Sequence, residues 1–289
     1  MAVTVKGFGV CMKSELWIAV RSSSTYLAIL LPSTIAVVYL AMSRISELAI
    51  EARKQFTNVE IPIGEDYSTG YGHLVDGMLV TLAAVVLIVT TYAAWSFAND
   101  CRTGTVRHLI TRVASRNAVI LAKVVTIHVI ACLAFVLAFA IAYLLAGSLW
   151  TYESVVEDGY ELIGEMEIRS EILYGLGLAT ITIPACIALG SLVSVSASSP
   201  VQSTVAILAI LVIYGFFQPY FGSYAEYCFL TFTPLLFDAS YLREVSEIVR
   251  GYSDVYISDQ TVRLNLWIPV VQAIGFLVLT YFVTERRRL

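Results

Sequence analysis

Few residues in this sequence could carry out chemistry, and their spacing does not build a familiar active site. The three histidines, His73, His108 and His128, form neither an HExxH motif nor a Ser/His pair. No GxxxxGK[ST] loop is present to hold the phosphates of a nucleotide. The five cysteines lack the CxxC or Cys/His spacing that is typical of a metal site. The sequence therefore predicts a non-catalytic protein with no metal and no cofactor of its own.

A positively charged loop, residues 97–117, is the segment best suited to engage a partner. The stretch from Phe97 to Lys123 carries four arginines and a single acid, Asp100, between two long apolar runs. Apolar residues recur within it at i, i+3, i+4 and i+7, on one face of a two-turn helix: Val106, Leu109, Ile110 and Val113. A helix this short needs a packing partner. The lipid interface and a groove on a soluble protein fit the pattern equally well.

The composition around this loop is that of an integral membrane protein. Of the 289 residues, 58% are hydrophobic and only 14% are charged, and the mean hydropathy is +0.79. Apolar runs of about 18 or more residues are long enough to cross a hydrocarbon core of roughly 30 Å. Six such runs predict an all-α fold with six transmembrane helices in a single permease domain, residues 1–289: Thr25–Met42, Leu74–Ser96, Ala118–Leu145, Ile172–Ser196, Val201–Phe217 and Leu266–Val283.

The distribution of basic residues predicts the orientation. With six spans, both termini, the 97–117 loop and the 197–200 turn lie on one side, which then carries most of the Lys and Arg and few acids. The opposite side carries most of the acids. Because Lys and Arg are retained on the cytoplasmic side, both termini are predicted to be cytoplasmic, in a multi-pass protein of the cell membrane. We expect the first apolar run to be an uncleaved span, since its leading segment is long for a cleaved signal.

Residues 1–24 mix basic and apolar side chains before the first span. Trp17 suits headgroup depth, so a helix lying in the membrane interface is one interpretation. An ordinary basic flank is the other, and the pattern alone favours neither. Beyond the first span, Ile45, Leu48, Ala52 and Phe56 have roughly helical spacing, which indicates that this helix extends outward.

Three connections have recognisable signals. Asp158-Gly159 between β-friendly runs predicts a two-residue hairpin. Ser199 before Pro200 predicts a tight helical hairpin, because proline at the first helical position loses no hydrogen bond. In the extracellular segment 218–265, the apolar residues 227–237 are too short to cross and are broken by Pro234. This favours a short re-entrant or interfacial piece that is buried against protein, followed by an exposed strand at 254–264.

Polar residues in the spans are candidates for a translocation path, because ionisable groups at membrane depth are costly. These candidates are Asp76, His128 and Gln272. For Asp76, near the end of its span, a hydrated acid or helix-capping partner competes with a functional role. For His128, a neutral hydrogen-bonded interior residue competes with substrate contact.

The 97–123 stretch resembles the permease subunit of ABC type-2 transporters. The resemblance rests on an acid, a Gly-Thr pair, an apolar pair, a Ser-Arg turn and a lysine that opens the next span: Asp100, Gly104-Thr105, Leu109-Ile110, Ser115-Arg116 and Lys123. Val113 or Ala114 stands where the family usually has proline. The six spans, the helix before the first span, the tight 4–5 hairpin and the broken stretch before the last span match the family's layout.

The resemblance implies an exporter that is driven by a separate soluble ABC ATPase, with ATP and Mg on that partner. The 97–117 loop would be the coupling helix that seats in a cleft of the ATPase. A second permease copy, in a homodimer or similar heterodimer, and membrane lipid are the other implied partners, with no nucleic acid. The residues expected to contact the ATPase are Asp100, Gly104, Thr105, Val106, Leu109, Ile110, Arg112, Val113 and Arg116.

The alternative is a secondary transporter or channel that needs no ATP. Such proteins often show an internal repeat and paired ion sites near mid-membrane, and the sequence displays neither. A membrane-embedded enzyme is a third class, and it would need the polar motifs that the histidines do not form.

Overall fold

In the part of the chain that the structure describes, six helices are long and apolar enough to cross a membrane, as the sequence predicts. The computed structural model describes residues 7–57, 69–105, 114–157, 160–235, 240–250 and 258–286. The six long helices are α2 (Ser23–Thr57), α3 (Gly70–Thr103), α4 (Arg116–Leu149), α5 (Glu165–Ser196), α6 (Pro200–Phe217) and α8 (Asp259–Arg286). Two shorter helices are α1 (Phe8–Arg21) and α7 (Tyr241–Val249), and two strands are β1 (Val155–Glu157) and β2 (Tyr160–Ile163).

Five of the six long helices continue beyond their apolar runs at one or both ends, whereas α6 ends with its run at Phe217. Helix α2 runs to Thr57, which confirms that the first span extends as a helix, while the outward direction of the extension stays a prediction. Helix α8 starts at Asp259, so the predicted strand at 254–264 is wrong for Asp259 to Leu264, and residues 251–257 lie outside the described ranges. Ser258 explains the difference: its Oγ accepts a hydrogen bond from the Thr261 amide at 3.1 Å, and a serine in that position starts a helix.

The bundle has two ends with different contents. We call the end where α3 stops and α4 starts the loop end, and the opposite end, which carries the β-hairpin and α7, the cap end. Helix α1 packs at the loop end, where Phe8 and Met12 contact the start of α4. Val262, near the start of α8, packs in the cap-end cluster, whereas Val283 packs with the cluster that contains Phe97. Helix α8 therefore ends towards the loop end.

Small residues bring α3, α5 and α6 into close contact. A Cβ on Gly190 of α5 would lie 2.6 Å from the carbonyl oxygen of Thr90 on α3. On α5, the Ser194 Oγ accepts a hydrogen bond from the Ala98 amide at 3.0 Å. On α6, the Ser203 Oγ donates to the Ala94 carbonyl at 2.8 Å. Close backbone approach and hydrogen bonds of this kind hold helices together where lipid offers no hydrophobic driving force.

Both predicted hairpins are present. Helix α6 begins at Pro200, and the Ser199 Oγ accepts from the Gln202 amide at 3.2 Å. Strands β1 and β2 pair antiparallel with Glu157 opposite Tyr160, and the intervening Asp158-Gly159 turn lies outside the described residues. Val155 of β1 is buried in the cap-end core, so this hairpin is a packed part of the fold.

In its described part, the segment between α6 and α7 is irregular, with residues 218–228 mostly exposed and residues 229–234 buried. It forms 3₁₀ turns at Gln218–Tyr227 and Phe229–Phe232 before α7 begins. Phe229 and Phe232 are each 1% exposed, which agrees with the prediction that this apolar piece packs against protein. Its placement as a re-entrant or interfacial segment of the membrane remains a prediction.

Gly190→Ala should lower the stability of the folded chain, because the added methyl group would collide with the backbone of α3. Overpacking of this kind costs about 1–3 kcal/mol. Thermal unfolding of the purified protein in a mild detergent measures the change. Gly177→Ala, on the same helix with nothing within 4 Å of the added Cβ, is the matched control and should unfold at the wild-type temperature or above it. Equal melting temperatures for the two variants would contradict this packing.

Candidate functional site: a buried lysine at the base of the 97–117 loop

A buried lysine connects three helices at the loop end. The Nζ of Lys123 on α4 lies 2.5 Å from Oδ2 of Asp100 on α3 and 3.0 Å from Oε2 of Glu15 on α1. It also donates to the Ser96 Oγ at 3.3 Å. These oxygens supply partners for all three ammonium hydrogens. The lysine therefore ties the helix that enters the loop to the helix that leaves it, and both to α1.

Burial makes these contacts obligatory. Lys123 is 6% exposed and Glu15 is 8% exposed. A charged group taken out of water costs several kcal/mol unless opposite charges and hydrogen bonds replace its hydration. Two carboxyl groups therefore share one ammonium.

The Lys123 ammonium compensates only part of the burial cost of the Glu15 carboxylate. Burial raises the pKa of its carboxyl above the ordinary value, and this effect exceeds the opposite effect of the Lys123 ammonium. The negative charge of Asp100 adds to the increase. Glu15 therefore takes up a proton more readily in the folded chain than in the unfolded chain.

The sequence of α1 explains how Glu15 reaches this position. Cys11, Glu15 and Ala19 recur every four residues and form the buried side of the helix. Opposite Cys11, the small residues Ala118 and Ala122 let α1 approach the first turns of α4. Glu15 thus lies at the centre of an otherwise apolar contact.

Backbone signals fix the two places where the loop joins the bundle. Helix α3 stops at Gly104, whose φ of 77° is left-handed and favours glycine. Helix α4 starts after Ser115, whose Oγ accepts from the Ala118 amide at 3.3 Å. On the two sides of Gly104, the hydroxyls of Thr103 and Thr105 share a hydrogen bond of 2.9 Å.

The structure places part of the predicted coupling set. Asp100, Gly104 and Thr105 lie at the end of α3, and Arg116 is the first residue of α4. Lys123 and Asp100, at the two edges of the sequence motif, are brought together. The rest of the set lies outside the described residues: Val106, Leu109, Ile110, Arg112 and Val113.

The three polar candidates in the spans have separate partners. Asp76 accepts a hydrogen bond from the Ser246 Oγ at 2.6 Å and forms an ion pair with Arg250, so it joins α3 to α7. The Nδ1 of His128 lies 2.7 Å from the carbonyl oxygen of Val124 in its own helix. This contact matches the reading of His128 as a hydrogen-bonded residue.

Gln272 satisfies the backbone of the irregular segment. Its Nε2 donates to the Tyr227 carbonyl at 2.7 Å, and its Oε1 accepts from the Phe229 amide at 3.0 Å. Backbone groups outside a helix need such partners when they are buried. These contacts give Gln272 a structural role between α8 and the 3₁₀ turns.

Sequence reasoning missed Glu15 and the charged residues of the cap end. The Cys11, Glu15, Ala19 spacing was the available signal for Glu15, because an acid within a helix's small-residue stripe points towards its packed side. At the cap end, Glu47 of α2 lies 2.6 Å from both the Nε2 of His73 and the Nε1 of Trp150. These residues are far apart in the chain, and no spacing rule connects them.

Comparison with known proteins identifies a family but no individual relative. A family model described as "Protein of unknown function (DUF2705)" matches residues 25–224. This range includes Asp100 and Lys123 but not Glu15. No curated protein and no solved structure matches the chain.

Lys123→Met should destabilise the protein by about 3–5 kcal/mol, since it leaves the buried carboxyl of Glu15 and the partly buried carboxyl of Asp100 without their cation. Glu15→Gln should stay within about 1 kcal/mol of the wild type at neutral pH, because it leaves a one-to-one pair of Lys123 and Asp100 and keeps a hydrogen-bonding group. Unfolding by denaturant or heat in a mild detergent gives the difference.

The difference in the free energy of unfolding between the wild type and Glu15→Gln should also depend on pH. A carboxyl with a raised folded-state pKa contributes stability that is present below its unfolded pKa and is lost as the pH rises through the folded pKa. The wild type should therefore lose stability relative to Glu15→Gln on going from acidic to neutral pH.

A Lys123→Met variant as stable as the wild type would show that the cluster does not join the helices.

Proposed function

The chain belongs to the DUF2705 family, and we propose that it is the membrane-spanning permease subunit of an ABC type-2 exporter. In this proposal the 97–117 loop is a coupling helix that seats in a cleft of a separate soluble ATPase. ATP and Mg bind to that ATPase, and this chain contributes the path through the membrane.

The Lys123 cluster is the observation that carries the proposal. Asp100 and Lys123 lie at the two junctions of the loop and are joined by a buried ion pair at 2.5 Å. A loop held by two rigid helices that are locked to each other cannot shift without moving both helices. Rigid-body movement of packed elements is an established way to transmit a conformational change. A force that acts on the loop is therefore transmitted directly to the helix bundle through this cluster.

Helix α1 adds a membrane contact to this unit. Its inward side carries Glu15, and its outward side carries Trp17, which is 60% exposed and lies 4.0 Å from the Arg21 guanidinium. Tryptophan and arginine together suit the boundary between hydrocarbon and headgroups. We propose that α1 lies in this interface and moves with the base of the loop.

The charge distribution supports a cytoplasmic position for the loop end. Helix α1, the loop junctions and the end of α8 all lie at that end, where Lys and Arg outnumber the acids in the sequence. The positive-inside bias then directs the loop towards the compartment that contains ATP. A second permease copy completes a two-fold assembly in the proposal, as the family resemblance implies.

The affinity-tagged full chain, extracted from its native membrane in a mild detergent, should co-purify with a soluble protein that contains a GxxxxGK[ST] loop. ATP turnover by that protein should rise when the chain is present. Mass spectrometry and a phosphate-release assay provide the two measurements. Purified chain that transports in vesicles under an ion gradient, with no ATPase bound, would replace this function with secondary transport.

Leu109→Asp should reduce capture of the ATPase at least tenfold, because a charge would replace part of the apolar face predicted for residues 106–113. A tenfold loss corresponds to about 1.4 kcal/mol of binding free energy. Thr111→Asp is the matched control, since this position falls on the polar side of the same pattern, and it should retain capture. Both variants should reach the membrane in wild-type amounts. Equal capture by both variants would show that the apolar face does not bind the ATPase.

A further inference from the structure

A long groove with one charged end runs along the bundle between α3, α6 and α7. Its volume is about 620 Å³, within the range of small-molecule sites of roughly 300–1,000 Å³. The lining residues separate by chemistry: those deep on α3 and α6 are apolar, and the charged ones lie where α7 crosses the cap end. The groove is thus amphipathic along its length.

From its charged mouth to its apolar end, the groove has about the depth of one membrane leaflet. On α3 the lining extends from Asp76 through Ala83 to Leu87, and it faces Leu211 and Phe216 of α6. Eleven residues of helix rise about 16 Å, since each residue adds 1.5 Å. Half of a hydrocarbon core of roughly 30 Å has nearly the same depth. An extended hydrocarbon chain from a single leaflet therefore fits the groove lengthwise.

The charged end presents both signs in a fixed arrangement. Arg243, Ser246, Glu247 and Arg250 recur on α7 at i, i+3, i+4 and i+7, so they share one face of the helix, and all four line the groove. Asp76 holds this face in place through its hydrogen bond from Ser246 and its ion pair with Arg250. Asp76 and Arg250 pair with each other, and Arg243 and Glu247 add one charge of each sign to the mouth.

We infer that this groove binds a zwitterionic phospholipid, with one acyl chain along α3 and the headgroup under α7. A guanidinium is the side chain best suited to a phosphate, to which it can donate two parallel hydrogen bonds. A carboxylate such as Glu247 pairs with a primary ammonium. A headgroup that carries one phosphate and one ammonium matches the balanced charges of the mouth. A purely anionic headgroup or an uncharged headgroup would not match them.

The inference goes beyond the proposed coupling to an ATPase and does not depend on it. Lipid binding is measured on the full chain alone, without nucleotide and without a partner. A negative result for lipid binding therefore leaves the proposed ATPase coupling intact, and the reverse also holds. The test uses native mass spectrometry of the chain in an uncharged detergent.

Three probes with the same acyl chain separate the headgroups: lysophosphatidylethanolamine, lysophosphatidylglycerol and monoacylglycerol. Lysophosphatidylethanolamine should bind with one saturable site per chain, at least tenfold more tightly than monoacylglycerol. It should also bind more tightly than the anionic lysophosphatidylglycerol.

Two variants test the two parts of the groove. Ala83→Phe fills the apolar part and should weaken binding of lysophosphatidylethanolamine at least tenfold. Arg243→Gln should weaken the two phosphate-bearing probes at least fivefold and leave monoacylglycerol unchanged. Ile213→Phe and Arg263→Gln are the controls, because both positions are exposed and neither lines the groove, and both should bind like the wild type.

Three results would overturn the assignment. Equal, non-saturating binding of all probes would identify ordinary lipid around the protein. Equal or tighter binding of lysophosphatidylglycerol would exclude the zwitterionic headgroup. A dimer that excludes every probe, and that Ala83→Phe disrupts, would show that a second copy of the chain covers the groove.

Discussion

The ammonium of Lys123 sets the arrangement of the loop end. An ammonium can remain charged among packed helices only if oxygen atoms replace its water, and the carboxylates that do so come from α1 and α3. This requirement fixes the rotation of three helices at once, since each must direct one particular residue towards the same point. The apolar contacts of Cys11 and Ala118 then have a defined register. A purely hydrophobic contact between α1 and α4 would tolerate sliding in a way that this cluster does not.

Elsewhere in the described residues, polar side chains of the long helices either pair near the helix ends or bond to their own backbone. Asp76 with Arg250, and Glu47 with His73, lie at the cap end, a span's length from the Lys123 cluster. Within the long helices, hydroxyl groups return hydrogen bonds to their own backbone, as Thr81 does to the Gly77 carbonyl at 2.6 Å and Thr90 to the Val86 carbonyl at 2.6 Å. Such bonds satisfy a polar group without a partner on another helix.

Helix α3 connects the two regions to which we assign function. It carries Asp76 beneath α7 at one end and Asp100 at the base of the loop at the other, in one uninterrupted helix from Gly70 to Thr103. Its middle packs closely against α5 at Gly190. A displacement at the loop would therefore travel along a stiff element to the mouth of the lipid groove. In the proposed transporter, α3 would couple ATP hydrolysis by the partner to lipid occupancy of the groove, because both sites contact this helix.

The sequence by itself determined the features that depend on neighbouring residues. The number of long helices follows from the length of the apolar runs, the turn before α6 from Ser199-Pro200, and the bend after α3 from Gly104, because each is a local property of the backbone. Only the tertiary structure decided which polar residues meet: Glu15 with Lys123, Asp76 with Arg250, and Gln272 with the backbone at Tyr227. These pairs join distant parts of the chain and depend on how each helix is rotated. A span that is apolar all round carries no pattern that specifies its rotation. Packing of small residues and pairing of buried charges supply that information, and both require the assembled bundle.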